Sequence, residues 1–380
     1  MRLTEDTVRD ALRQVDEPHF ALDVVTLGLV RTVSISRGRV AVTIGEPLED
    51  WPRRDELVSR ITDAVGAADG VKGVEVTVET MDDDDRASLR QSLIGDPEAT
   101  AGSQQAHGHA EGRSIPFAEP GSTTRVLLIA SGKGGVGKSS ITTNLAIALA
   151  DRGHRTAVVD ADVWGFSIPR MLGVGQPPVV VDSMLIPPES YGVRSISMGY
   201  FAPDDQAVIW RGPMLHKALE QFLTDVYWGE PDYLLVDLPP GTGDISISLA
   251  GFMPRSEVFI VTTPQPAAQR VAARAAAMAD KVNLEVRGVI ENMSWFTGDD
   301  GQRYEIFGAG GGAHLADGLD VPLVGQVPLV PDLREGGDMG TPIVATQPDS
   351  DAAQAFVAMA ELIDVDLAPT KRYHSELKIV

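Results

Sequence analysis

"VLLIASGKGGVGKSSITTNLA", residues 126–146, holds two phosphate-binding patterns in one stretch. Gly132, Gly134 and Gly137 fit G-x-G-x-x-G, the turn that cradles a dinucleotide pyrophosphate. Gly132, Gly137, Lys138 and Ser139 fit G-x-x-x-x-G-K-[ST], the P-loop of nucleoside triphosphate sites. Either pattern sits between a buried strand and a helix whose N-terminal amides and dipole face an anion. The Lys138–Ser139 pair separates the two. A dinucleotide turn has no use for a lysine followed by two hydroxyls, Ser139 and Ser140. A triphosphate site needs both groups, the lysine on the β- and γ-phosphates and the Ser139 hydroxyl on Mg²⁺. The expected phosphate cradle is therefore Gly132, Lys133, Gly134, Gly135, Val136, Gly137, Lys138, Ser139 and Ser140. The helix that follows should bury Ile141, Leu145, Ala148 and Leu149 and stop at Gly153.

The residues around the loop extend this reading. "TAVVD" ends in Asp160, with Asp162 two positions on, and "YLLVDLPPGTGD" places Asp237 at the end of another strand. A dinucleotide site would use one acid, Asp160, on a ribose. An acidic pair plus Asp237 suits a magnesium site better, with Asp237 holding the ion through water. Helix capping is the competing account of Asp160 and Asp162. Two carboxylates directly after a buried strand favour the ligand-binding edge of a sheet. "RVLLIA", "TAVVD", "YLLVD", "EVFIVT", "EVRGVI" and "PLVGQV" are apolar with little alternation, as strands covered on both faces are. Their alternation with helical segments predicts an α/β fold, a mostly parallel sheet flanked by helices.

Upstream, residues 1–95 read as a small α+β domain. "TVRDALRQV" has helical spacing, "VVTLGLVRTVSI" and "GRVAVTIG" have strand composition, "RRDELVSRITDAV" returns to helix, and "VKGVEVTVET" alternates as a strand. "MDDDDR" reads as the solvated end of that domain. Residues 96–124, rich in Gly, Ala, Ser, Pro and Gln, read as a flexible linker carrying His107 and His109. The main domain is expected over 125–365, and 366–380 is an unassigned tail.

The chain of 380 residues carries 54 acidic and 32 basic side chains, a formal charge of −22. Such a surface disfavours broad binding to nucleic acid, which needs clustered Lys and Arg. No apolar run reaches the ~18 residues that span a bilayer, and the charged N-terminus lacks a signal-peptide core. A cytoplasmic protein without membrane or nucleic-acid partners is expected. There is no cysteine, so no disulfide, thiolate site or catalytic thiol.

Lys133, directly after the first glycine, carries a more specific likeness. "GKGGVGKS" resembles the deviant Walker A loop of the MinD/ParA-like ATPases. In that class the extra lysine reaches across a homodimer to the partner's nucleotide, so the resemblance implies a dimeric Mg-ATPase with slow turnover in which Lys133, Lys138 and Asp162 are catalytic. "DADVWGFSIP" is similar to its first switch, with Asp162 orienting the attacking water and Asp160 near the metal. "DLPPGTGD" is similar to the second, with Asp237 near the metal and Gly241 and Gly243 allowing movement. The metal set implied is Ser139, Asp160 and Asp237.

"WRGPM", "DLPPGTGD", "ENMSWF" and "IFGAGGG", in that order, resemble the Mrp/ApbC branch, viewed as iron–sulfur cluster carriers or scaffolds with ATPase activity. The likeness implies that Asn292 contacts the adenine, that residues near Pro328 line the base pocket, and that iron–sulfur assembly factors or apo-proteins are partners. The segment "VDEPHFALDVVTLGLV", with Pro18, Asp23, Leu27 and Gly28, is similar to the small assembly-type domain fused ahead of such proteins. Many relatives carry C-x-x-C between "ENMSxF" and "IFGxGGG", and two such pairs bridge a [4Fe–4S] cluster. Here that stretch is "TGDDGQRYE". Asp299 and Asp300 are hard ligands suited to Mg²⁺, Ca²⁺ or Mn²⁺ rather than a cluster, and the stretch reads as a polar turn. The [4Fe–4S] assignment is thus implied by family likeness only. A MinD/ParA-like regulatory or positioning ATPase without cluster chemistry is the alternative.

Overall fold

A computed structural model describes residues 3–94, 115–119, 121–201, 212–241 and 244–369. They form two compact units. One takes the described residues up to Ile94 together with Val179–Ile186, and the other takes the rest from Ile115 onward. His107 and His109, most of the expected linker, Gly243 and most of the tail lie outside the described residues.

The first unit contains α1 (Glu5–Leu12), β1 (Val30–Ser36), β2 (Arg39–Glu46), α2 (Arg54–Gly66), β3 (Gly73–Thr80) and α3 (Asp83–Ile94). Thr4 caps α1 by accepting from the Thr7 amide, and Val8 and Leu12 face inward. β1 runs antiparallel to β2, which runs parallel to β3. Two expectations change here. The first strand begins at Val30 and not at Val24, because Asp23 Oδ1 accepts the amides of Val25 (3.0 Å) and Thr26 (2.8 Å) and Gly28 has φ +69°. That turn interrupts a run whose composition alone favours a strand. The acidic run is solvated at Asp82, Asp83 and Asp84, but it opens a helix rather than ending the domain. Asp82 Oδ1 accepts the Asp85 amide at 2.9 Å, and Asp83, Asp84 and Asp85 occupy the first turn of α3, where negative charge suits the helix dipole.

The second unit is built on β4 (Arg125–Ser131), α4 (Lys138–Asp151), β5 (Thr156–Asp160) and the short α5 (Ile168–Met171). The hairpin β6 (Val179–Val181) and β7 (Met184–Ile186) belongs to the first unit. Then follow β8 (Glu189–Ser190), β9 (Val193–Ser197), α6 (Gly212–Thr224), β10 (Tyr233–Asp237), α7 (Asp244–Phe252), β11 (Glu257–Thr262) and α8 (Pro266–Lys281). The chain continues through β12 (Glu285–Asn292), the hairpin β13 (Phe296–Thr297) and β14 (Arg303–Tyr304), and α9 (Gly311–Leu319). It ends with β15 (Leu323–Val327), α10 (Pro331–Met339), α11 (Ile343–Thr346) and α12 (Asp351–Glu361). The main sheet has the order β15-β12-β11-β4-β10-β5-β9-β8 and is parallel apart from β8. β4, β5, β10 and β11 are buried almost throughout, which is why their sequences do not alternate.

α4 departs from a simple stripe. Every residue from Ile141 to Leu149 is buried, including Thr142, Thr143 and Asn144. One face meets the sheet, and α12 with Phe356, Met359 and Ala360 covers the other. Gly153 follows the helix at φ +92° with its amide on Ala150 O at 2.8 Å. Register sets the site: Asp237 pairs with both Asp160 and Ile129, so the two carboxylates lie side by side at the C-terminal sheet edge beside the loop that leaves β4. No helix among the described residues is long and apolar enough to cross a membrane.

Candidate nucleotide site

The loop between β4 and α4 turns through Gly135 (φ +78°) and Gly137 (φ +80°), which takes the N-cap position of α4. These left-handed torsions suit glycine, and the loop they shape lines one concavity. A Cβ at Gly132 would stand 2.2 Å from the Val271 carbonyl carbon, so the loop lies directly against α8. A Cβ at Gly137 would stand 2.2 Å from Asn292 Nδ2.

Three donors from α4 converge on Asp237. Lys138 Nζ lies 2.7 Å from Oδ1, Thr142 Oγ1 donates to the same oxygen at 3.0 Å, and Ser139 Oγ donates to Oδ2 at 2.5 Å. Lys138 is 6% exposed and Asp237 fully buried. A buried charge pair of this kind holds only when its remaining valences are satisfied, and the two hydroxyls satisfy them.

Asp160 sits beside this group, also buried. Its Oδ1 accepts the Asp162 amide (3.2 Å). Its Oδ2 accepts the amides of Ser167 (3.1 Å) and Ile168 (3.2 Å) and the Ser197 hydroxyl (3.0 Å). Burial, and next the Asp237 carboxylate, push its pKa up to about 7, against the pull of those donors. Asp160 therefore braces the turn after β5 as well as flanking Asp237. Asp162 is half-buried, and its Oδ1 accepts the Gly165 amide at 3.2 Å. Burial raises its pKa, with Lys138 opposing and Asp237 adding to the rise.

A cleft of about 230 Å³ is lined by Lys133 to Ser140, Asp162, Gly165, Met171, Pro240 and Ser131. The structure thus brings the predicted phosphate cradle from Lys133 to Ser140 and Asp162 to one opening, while Gly132 packs against α8 instead. Lys133 Nζ donates to Gln265 Oε1 at 3.1 Å. Asn292 and Pro328 do not line the cleft. Asn292 backs the loop, with Nδ2 donating to Val136 O (2.9 Å) and Oδ1 accepting the Met293 amide (2.9 Å). Pro328 is buried just past β15. Ser139 lines the cleft while Asp237 and Asp160 lie buried behind it; the touching oxygens of Ser139 and Asp237 are hard donors of the kind Mg²⁺ takes alongside phosphate and water.

Residues 122–364 match the ParA family, NUBPL iron-transfer P-loop NTPases, and residues 5–78 match an iron–sulfur cluster assembly protein family. The chain belongs to the NUBPL iron-transfer P-loop NTPase family. It is 44% identical over 364 residues to an iron–sulfur cluster carrier protein of Mycobacterium leprae, covering 94% of this chain and 92% of that one. It is 39% identical to one of Synechocystis, covering 95% and 97%. A nucleotide-binding protein of Archaeoglobus fulgidus, solved in complex with ADP, is 30% identical over 66% of this chain and 95% of its own, with a TM-score of 0.54.

As an iron-transfer NTPase the chain lacks one expected feature. The stretch where thiolates would stand is the β13–β14 hairpin, with Phe296 opposite Tyr304. Asp300 is committed to its turn: Oδ2 accepts the Tyr304 hydroxyl at 2.7 Å and Oδ1 accepts the Gln302 amide at 3.0 Å. Those bonds hold its carboxyl below the usual range. Among the described residues no group of three or more His, Cys, Asp or Glu could hold a metal ion. The residues of this hairpin do not fit an iron–sulfur cluster.

Sequence reasoning missed three residues. Thr142 was legible: it lies one helical turn after Lys138, on the same face. Gln265 and Glu291 were not, since their partners are remote in sequence. Glu291, 1% exposed, accepts the Gly312 amide at the start of α9 (2.5 Å) and Gln326 Nε2 (2.7 Å), joining β12 to α9 and β15.

Proposed function

We propose that this chain is a slow, Mg²⁺-dependent ATPase that works as a homodimeric switch in iron–sulfur cluster transfer, with the thiolates for the cargo supplied by its partner proteins. The observation that carries the proposal is the convergence of Lys138, Ser139 and Thr142 on Asp237 under a glycine loop at a helix N-terminus. That arrangement offers amides and a lysine to the β- and γ-phosphates. Ser139 and Asp237 would hold Mg²⁺, directly and through water, and Asp160 supports that edge from behind. The bound ion would neutralise charge on the phosphate oxygens.

Asp162 lines the cleft half-buried, with burial raising its pKa, a setting suited to orienting water toward the terminal phosphate. Lys133 is the cation proposed to act in trans, swinging from its own subunit to the partner's nucleotide as an arginine finger does. The names of the relatives support the cargo, and the absence of cysteine from all 380 residues supports ligands supplied by partners. The same absence favours a second reading, a partner-binding switch of the MinD/ParA kind without cluster chemistry.

Gel filtration with light scattering tests the dimer. The wild-type protein should become dimeric with Mg-ATP. Lys133→Ala should bind ATP within a few-fold of wild type yet remain monomeric, with turnover lowered on the order of a hundredfold or more. ATP-dependent dimerisation of Lys133→Ala equal to wild type would remove the role given to this lysine.

A further inference from the structure

We propose that Gln265 is a positioning residue: it docks the Lys133 ammonium on its own subunit and sets how readily that lysine is released to a second copy. The proposal rests on the trans role of Lys133 argued above. Nζ of Lys133 donates to Gln265 Oε1 at 3.1 Å, in a partly buried contact.

Both ends of that bond are mounted on fixed backbone. The Lys133 carbonyl accepts from Ser131 Oγ at 3.1 Å. Gly132 is pressed against α8, where an added Cβ would meet Val271 and Ala272 backbone atoms at 2.2 to 2.5 Å. Gln265 is the N-cap of α8, its carbonyl accepting the amides of Ala268 (2.9 Å) and Gln269 (3.3 Å). Its side chain makes no capping hydrogen bond to its own helix. N-cap side chains commonly serve the helix; this one serves the lysine. With both backbones held, rotation about side-chain bonds is what parts Nζ from Oε1, and the loop and helix need not move.

The chemistry of the acceptor grades the hold. A neutral amide oxygen binds an ammonium with one hydrogen bond. A carboxylate would add charge attraction in a setting screened less than bulk water. A methyl group would offer nothing. Gln265→Ala and Gln265→Glu should therefore move the monomer–dimer equilibrium in opposite directions. Because the contact is only partly buried, the expected size is about three- to tenfold each way.

The test measures the dimer dissociation constant in saturating Mg-ATP by sedimentation, with ATP affinity followed separately by calorimetry. Gln265→Ala should tighten the dimer about three- to tenfold and Gln265→Glu weaken it by as much or more, both binding ATP like wild type. Opposite shifts support the dock. Weakening in both variants signals damage to the start of α8 and overturns it, as does no change in either. Lys133→Ala in the same assay separates the failures. If that variant stays monomeric while the Gln265 variants match wild type, the dock alone falls. If it dimerises normally, the trans role falls first.

Discussion

Asp237 and Asp160 stand next to each other because β10 and β5 pair them in register, and they receive opposite treatment. Asp237 has an ammonium and two hydroxyls; Asp160 has three amides, one hydroxyl and a carboxylate neighbour. The fully buried Asp160 is displaced from 3.8 to about 7. Its folded pKa lies above its unfolded one, so between those values the native chain binds more protons than the unfolded chain. The stabilisation is complete in acid and is lost as pH rises through about 7. In metal- and nucleotide-free buffer, the thermal midpoint of the wild type should therefore carry a downward component between pH 4 and 7, a window fixed by those two values. Asp160→Asn cannot titrate and should lose that component, even though its amide fits the three backbone donors less well and lowers the midpoint overall. Differential scanning calorimetry across this range is the measurement, and parallel slopes for the two proteins would contradict the assignment. The pair of acids after "TAVVD" was legible in the sequence because a strand end announces itself. The partners of Asp160 were not: Ser167 and Ile168 come from the start of α5 and Ser197 from the end of β9, whose approach depends on the completed sheet.

Elements explain where glycine is obligatory and where it is only convenient. Gly132 opens both glycine-loop matches, yet its importance comes from α8, which passes so close that a methyl group would overlap the Val271 carbonyl at 2.2 Å. Backbone on both sides leaves little room to yield. Gly132→Ala should lower unfolding free energy by about 1–3 kcal/mol, the range for overpacking, and should weaken ATP binding by moving the whole loop. Gly134 is the control. A Cβ there would find Pro240 Cγ at 3.9 Å, an ordinary contact. Gly134→Ala should stay within about 0.5 kcal/mol of wild type. Urea unfolding of both proteins decides it, and equal destabilisation would show that loop flexibility, not the approach of α8, governs Gly132. The strand–helix alternation was readable because buried parallel strands lack polar gaps. Two local readings were altered by side-chain capping: Asp23 turns a segment that composition extends as strand, and Asp82 starts a helix at what charge reads as the solvated end of the domain. A lateral cover also changed α4, since α12 buries the face that an isolated helix would present to water.

At the scale of the molecule, an acidic chain of formal charge −22 carries a P-loop NTPase-type site and an assembly-type first unit but no cysteine. Iron in a cluster is held by soft anionic sulfur, and 54 carboxylates do not replace it, because they are hard ligands and Asp300 of the hairpin is tied into its turn. Dimerisation does not alter this, since two copies of a chain without thiols still present none. The proposed cargo transfer would therefore need thiolates from the donor or acceptor, with nucleotide controlling when they are brought together. Anaerobic incubation with ferrous iron and sulfide, followed by gel filtration, should leave the protein colourless and free of stoichiometric iron, with or without Mg-ATP. Repeating the incubation with a cysteine-bearing acceptor should place iron and sulfide on the acceptor, at a rate that rises with Mg-ATP and falls in Lys133→Ala. Stoichiometric iron and sulfide eluting with this chain alone would show that its own oxygen and nitrogen donors suffice. The division of labour between nucleotide switch and partner thiolates would then be wrong.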